Sequence, residues 1–209
     1  SDTVLIKKGS DIDLKIESLA FGGMGVAYIN DMVTFVKNAI PGQTVTARIV
    51  KKRSSFLEAR SLKVLNESPY SVDVLCEHFS DCGGCTFQNL DYNQQIISKG
   101  IQVQDIFKRI GGFLKIQCEP VVKCDNIFNY RNKMEFTYST NEYIPEKDKE
   151  REPFDFVLGL HAPGRWNKIL DINNCHLQSS ISNDIFSDIK KMSKKLEPYN
   201  IVDHTGYLR

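Results

Sequence analysis

The sequence predicts an α+β chain, mostly β: a five-stranded OB-like barrel, a cysteine-bearing loop, and a central antiparallel β domain with two helices. Three observations predict it. Short β-rich runs alternate with turn residues through the first third. An irregular stretch then gathers Cys76, Cys82 and Cys85, and two later segments repeat apolar residues at helical spacing.

The barrel is assigned to residues 4–66. Ile12, Leu14 and Ile16 alternate with Asp13 and Lys15, the pattern of a half-buried strand. Val26–Ile29, Val33–Val36, Val45–Val50 and Ser55–Arg60 follow, separated by Gly22-Gly23-Met24-Gly25, Asn30-Asp31, Pro41-Gly42 and Lys51–Ser54. Five short strands joined by tight turns close most simply on themselves, since closure removes exposed edges. The glycine run after Phe21 superficially suggests a phosphate loop. Such a loop needs a helix N-terminus after it, and strand-like Val26–Ile29 assigns the run to a turn.

Residues 67–90 read as an irregular loop and 91–112 as a helix. Asp91 is its N-cap with Gln94 in the capping-box position, Ile96, Val103, Phe107 and Ile110 line one face, and Gly111-Gly112 ends it. Residues 113–209 form the central β domain. Its expected strands are Tyr130–Tyr138, Phe154–His161 and Lys168–Ile172, followed by a helix over 179–196 bearing Ile181, Ile185, Ile189, Met192 and Leu196. The charged run Asn141–Pro153 reads as a solvated hairpin excursion. His204–Arg209 begins another strand-like run and stops, so the chain is expected to be truncated.

Twenty-seven Lys and Arg against 26 Asp and Glu leave a net charge of +1, so any argument for nucleic acid must be local. Arg48, Lys51, Lys52, Arg53, Arg60 and Lys63 face Glu58 alone within the second half of the barrel, with Lys37 in an adjacent turn. A solvated face is the plain reading; a single-stranded RNA surface is the functional one. Arg131 and Lys133 share one face of the Tyr130–Tyr138 strand, where Glu135 offers a simple edge stripe instead. The N-terminal apolar run is too short for a signal peptide, and no segment approaches a membrane span. The expected setting is cytoplasmic, where six reduced cysteines suggest metal or redox chemistry before disulfides.

Cys76, Cys82 and Cys85 form C-x5-C-x2-C. The inner turn aims two thiolates at one centre, and Gly83-Gly84 lets backbone pass close to a bulky ligand. A fourth ligand must come from Cys118, Cys124 or Cys175. Three chemistries fit. Structural zinc would be closed by another Cys or by His78 or His176; disulfides would need an oxidising compartment; a 4Fe–4S cubane would take four thiolates. Phe79 and Phe87 flank the loop and are expected to shield it, His78 and His161 to act as structural hydrogen-bonders, and Cys118 and Cys124 to be inert thiols buried in β structure.

At these residues the chain resembles the TRAM-domain RNA uridine C5-methyltransferases, the 23S rRNA (uracil-5-)-methyltransferase family. The resemblance is carried by Ile16–Ala27, Phe35–Val45, Ser68-Pro69, the cysteine loop with Gln88–Tyr92, Tyr130–Glu135, Gly159–His161 and Cys175–Gln178. It implies that the barrel is a TRAM module and that a 4Fe–4S cluster is held by Cys76, Cys82, Cys85 and Cys175. It also implies structured RNA, expected to be 23S rRNA, as partner, with tRNA as the alternative substrate. Lys37, Arg48, Lys51, Lys52, Arg53, Arg131 and Lys133 become candidate RNA contacts. Members of this family place the S-adenosylmethionine pocket, the catalytic cysteine and the catalytic glutamate in a further C-terminal domain. The 209 residues are therefore expected to be an inactive N-terminal fragment. The 91–112 helix would pack on the missing domain and its bared apolar face would favour self-association. A zinc-binding RNA adaptor without a catalytic domain is the competing expectation.

Overall fold

The computed structural model describes residues 6–200 and 202–208. Val4 and Leu5 of the expected barrel, and Arg209 at the far boundary, lie outside the described residues. Two compact units interleave along the chain: residues through Asp73 with Phe87–Lys123, and Val74–Thr86 with Cys124–Arg209. Among the described residues no helix is long and apolar enough to cross a membrane.

The first unit contains a six-stranded mixed sheet. Its strands are β1 (Asp11–Lys15), β2 (Ser18–Leu19), β3 (Gly25–Ile29), β4 (Met32–Lys37), β5 (Thr44–Lys52) and β6 (Phe56–Asn66). They lie in the order β1-β5-β6-β4-β3-β2, with β4 and β6 parallel and the other pairs antiparallel. Five strands were expected. The first expected strand is β1, paired with β5, and the additional strand is β2, which pairs with β3 at the opposite edge of the sheet. Alternating residues point inward to a common core of Leu14, Ile16, Ala27, Ile29, Val36, Val45, Ala47, Ile49, Leu57 and Ala59. Fully buried Val45, Ile49 and Leu57 each contribute about 1.5–3 kcal/mol of transfer free energy. The Gly22-Gly23 segment forms the expected turn, closed by the Ala20 N–H donating to the Met24 carbonyl at 2.8 Å.

Helix α1 (Tyr92–Arg109) begins where its capping residue dictates. The Asp91 carboxylate accepts from the N–H groups of Asn93 and Gln94. No residue of α1 is buried, and Ile97, Ile101, Val103, Ile106 and Phe107 are exposed. Within its unit the helix is tied down by glutamines. Gln95 donates to the Phe87 and Leu90 carbonyls, Gln102 to those of Leu19 and Ala20, and Gln104 to that of Ile116.

In the second unit β7 (Thr137–Ser139), β8 (Val157–Ala162) and β9 (Arg165–Asp171) form a three-stranded antiparallel sheet, followed by α2 (Ser180–Ser193). The expected strand over Tyr130–Tyr138 is only the three-residue β7. Before it, the chain makes a single bridge, Arg131 with Gln178, because Tyr130–Glu135 finds no long partner. The stripe Ile181, Ile185, Ile189, Met192 is exposed; the helix buries Phe186 and Ser193 instead. Phe186 packs on Phe136 with ring centroids 4.3 Å apart, and Tyr138 donates to the Ser193 hydroxyl at 2.9 Å. Lys190 locks the helix to the sheet, bonding the Asp171 carboxylate and the Ile172 carbonyl at 2.8 Å each.

The Asn141–Pro153 run is not merely a solvated excursion. Glu142 is buried, with its side chain 1% exposed, and takes a two-pronged ion pair from Arg151 plus the Phe154 N–H at 3.0 Å. Among the described residues, the final run forms no strand. One bridge, Pro198 with Leu208, holds it back against the end of the α2 segment.

Candidate functional site

The cysteine loop is shaped by its own backbone. The Phe79 N–H donates to the Cys76 carbonyl at 3.1 Å, and the Asp81 and Cys82 N–H groups share the His78 carbonyl at 3.1 and 2.9 Å. At the turn, the Gly83 N–H donates to the His161 carbonyl on β8 at 2.9 Å. A Cβ on Gly83 would stand 2.9 Å from that same oxygen, so this approach requires glycine. Lys147, from the charged run, pairs with Asp81 at 2.9 Å and donates to the Glu77 carbonyl at 2.8 Å. The other cysteine segment is clamped from α2, where the Asn183 amide accepts from the Cys175 N–H at 2.9 Å and donates to its carbonyl at 3.1 Å.

These contacts bring Cys76, Cys82, Cys85 and Cys175 together within the second unit. Cys82 and Cys85 pack against the core that contains buried Cys175. Burial pushes the Cys76 and Cys82 thiols above their ordinary range, and negative charge on Cys175 adds to both shifts. Backbone N–H groups oppose that: Gly84 donates to the Cys82 sulfur at 3.3 Å, and the N–H groups of His78 and Phe79 bond the Cys76 sulfur. Burial outweighs these N–H groups, so both sulfurs are held toward the protonated thiol, and a bound cation would be needed to draw out the thiolates. Among the described residues, no group of three or more His, Cys, Asp and Glu side chains is arranged to hold a metal ion as it stands.

The neighbours of this loop depart from expectation at His78 and at the two remaining cysteines. His78 is no structural hydrogen-bonder through its ring, because buried Nε2 lacks a hydrogen-bond partner, with a Glu77 oxygen 3.4 Å away. Burial, opposed by the Glu77 charge, holds its pKa below the ordinary value. Phe87 packs with Leu19, Ile40 and Leu90 in the first unit. Cys118 and Cys124 are not buried in β structure, since residues 113–130 form no strand; Cys118 is half-buried and Cys124 exposed. His161 does bond as expected, to the Thr137 hydroxyl at 3.1 Å.

The basic residues divide by their partners. Register places Lys37 of β4 beside Arg60 of β6, Arg60 beside Arg48 of β5, and Arg48 beside Asp11 of β1, all exposed. Like charges directly opposite repel, yet among the described residues only Arg48 is compensated, by a two-pronged bond to Asp11 at 2.7 and 2.8 Å. Lys51 pairs with Glu58 at 2.8 Å, and Lys52 donates to the Ile6 carbonyl at 3.0 Å. Arg53, in the β5–β6 turn, is exposed and has no side-chain partner among the described residues. Arg131 and Lys133 do not share a strand face. Arg131 lines an open cleft of about 350 Å³ with Phe136, Tyr138 and Phe186, while Lys133 pairs with Glu135 at 2.8 Å. Arg60 is central to the row, and Asp11 offsets one end of it. Their adjacency depends on long-range strand register and left no local signal.

Residues 6–62 match the TRAM domain family. The chain carries a TRAM domain. Its similarity also extends past that domain. The chain is 36% identical to an uncharacterized RNA methyltransferase of Chlorobaculum tepidum over 97% of this chain and 44% of the relative. It is 35% identical to one of Porphyromonas gingivalis, over 82% of this chain and 38% of the relative. The crystal structure of Pyrococcus abyssi tRNA (uracil-54, C5)-methyltransferase with S-adenosyl-L-homocysteine is similar at TM-score 0.57 and 26% identity. That match covers 93% of this chain and 40% of the other. The TRAM domain is thus followed by sequence homologous to RNA methyltransferases, and the chain spans less than half the length of these relatives.

Proposed function

We propose that the chain is the RNA-recognition region of an S-adenosylmethionine-dependent RNA uridine-5-methyltransferase acting on 23S rRNA in the cytoplasm. The observation that carries the RNA reading is the in-register row Arg48, Arg60 and Lys37 across the TRAM domain. Side-by-side cations on an exposed sheet face cost stability in isolation and are relieved by a polyanion. Titrating the chain with unpaired rRNA segments at several salt concentrations tests this; affinity that does not fall as salt rises would overturn it. A second reading, tRNA as substrate, is favoured by the similarity to the Pyrococcus abyssi enzyme. Competition between the rRNA segment and tRNA for the same chain separates the two.

The proposal includes a 4Fe–4S cluster held by Cys76, Cys82, Cys85 and Cys175. Four thiols from two distant segments, with backbone N–H groups on the sulfurs of Cys76 and Cys82, fit a cofactor that demands thiolates. Methyl transfer to uridine C5 has no redox step, so the bound cluster supplies rigidity. This chain's own residues do the positioning: Gly83 ties the loop to β8, Lys147 ties it to the charged run, and Asn183 holds Cys175. Anaerobic reconstitution should yield a brown protein with iron and sulfide bound; a colourless protein with stoichiometric zinc would sink the cluster and favour an adaptor.

In this reading all six cysteines are ligands or bystanders, so none serves as the nucleophile toward uridine C6. The 209 residues are expected to bind RNA without methylating it. The apolar side chains bared on α1, Ile97, Ile101 and Phe107 among them, supply the surface for the catalytic domain.

A further inference from the structure

The β8–β9 hairpin presents the chain's one tryptophan on a bulge. Ala162 pairs with Arg165 across the turn, but the next pair is His161 with Ile169. One step along β8 therefore faces four along β9, and Trp166, Asn167 and Lys168 leave the ladder. A bulge of this kind bends a strand and re-aims its side chains. Trp166 is 72% exposed, although an indole ordinarily gains more from burial than any other side chain of its unit.

Its surroundings are cationic and firmly held. Arg165 and Lys168 flank it, both exposed, and no acidic residue lies between Pro163 and Leu170. The nearest carboxylate along β9, Asp171, is committed to Lys190 and to the Leu158 N–H. Below the bulge the strand is pinned by buried Ile169 and Leu170. Across from it, His161 accepts the Gly83 N–H of the cysteine loop. Arg165 also lies over the Tyr143 ring, 6.0 Å from its centroid, which restrains its fork.

A rigidly mounted, solvent-facing indole between two cations suits one ligand chemistry well. Every unpaired base offers a π face to the ring, and the flanking phosphates meet Arg165 and Lys168. We infer that Trp166, with Arg165 and Lys168, is a stacking platform for an unpaired base of single-stranded RNA, outside the TRAM domain. The inference rests on the RNA reading above and adds a second, aromatic contact to its electrostatic one. It also links the cysteine loop to RNA, because Gly83 braces the strand from which the bulge springs.

Because Trp166 is the only tryptophan, its fluorescence reports this site alone. The experiment titrates the chain with a labelled single-stranded RNA, following indole emission and RNA anisotropy together, with duplex RNA of the same sequence as comparison. Emission should quench with the anisotropy midpoint, and the duplex should leave it unquenched. Trp166→Ala should weaken binding about tenfold or more, and Trp166→Phe should retain most of the affinity. Anisotropy that rises while emission and the Trp166→Ala affinity stay unchanged would overturn the platform and leave the RNA reading standing. Absence of RNA binding by both signals would overturn the two together.

Discussion

The Gly83 N–H donates to the His161 carbonyl at 2.9 Å, and the oxygen that accepts this bond is the one that a Cβ on Gly83 would crowd. The cysteine loop and β8 are therefore joined through a contact with no room for a side chain. Gly83→Ala should break the bond, destabilise the chain by about 1–3 kcal/mol and shorten the lifetime of a reconstituted cluster in air. Gly84→Ala should be milder, since its Cβ would meet only the Cys82 sulfur at 3.4 Å and Leu160 at 3.9 Å. Thermal melting and the rate of absorbance loss check both; equal effects from the two substitutions would disprove the assignment.

On the TRAM surface, the partners of each cation set its expected contribution. Arg60→Ala and Lys37→Ala should each flatten the dependence of log affinity on log salt by about 0.7, the share of one phosphate in a single strand. Lys51→Ala should change little, because Glu58 already holds that charge. Asp11→Asn releases Arg48 and should tighten binding. Salt titrations of the four variants measure this, and an unchanged slope for Arg60→Ala would remove the row as the binding surface.

The ligand set makes its own prediction. Cys175→Ser should abolish stable cluster assembly, as should Cys76→Ser, Cys82→Ser and Cys85→Ser. Cys118→Ser and Cys124→Ser should retain full iron and sulfide, because these thiols lie outside the cluster of four. Loss of iron from the Cys124 variant with retention in the Cys175 variant would overturn the assignment.

Acid should reveal the buried pair. Burial alone would raise the Glu142 pKa, but Arg151 and the Phe154 N–H outweigh it, and the carboxyl sits below its ordinary value. A depressed carboxyl contributes stability that is complete above its unfolded pKa of about 4.3 and is lost as pH falls through the folded value. Glu142→Gln should therefore cost about 2 kcal/mol at neutral pH and much less in strong acid. Denaturant midpoints measured from neutral to acid pH check it; a pH-independent difference would contradict the mechanism.

Strand alternation around Leu14, the β-rich runs at Val26 and Val45, the Asp91 cap of α1 and the turn at Gly22-Gly23 were legible because each depends on residues close in sequence. The strand order was not, since pairing of β1 with β5 and of β4 with β6 is decided by distant partners. Tyr130–Glu135 has neither a strand's composition beyond Tyr130 nor a neighbouring ladder to complete its hydrogen bonds, so it stays irregular. On α2, helical spacing marked the stripe Ile181, Ile185, Ile189, but periodicity does not say which face meets the core, and Phe186 took that place.

The sequence by itself determined the cysteine loop, because the C-x5-C-x2-C spacing and the glycine pair are local properties of one turn. Tertiary structure decided what surrounds that loop. It delivered Cys175 on a turn clamped by Asn183, set β8 against Gly83, and placed Arg60 between Lys37 and Arg48. It also raised Trp166 on a bulge. The physical reason is common to all four. Each depends on a hydrogen bond or a register between separate segments, two of them far apart in the chain, and such pairings are selected by the energy of the whole packed unit rather than by the residues at either end.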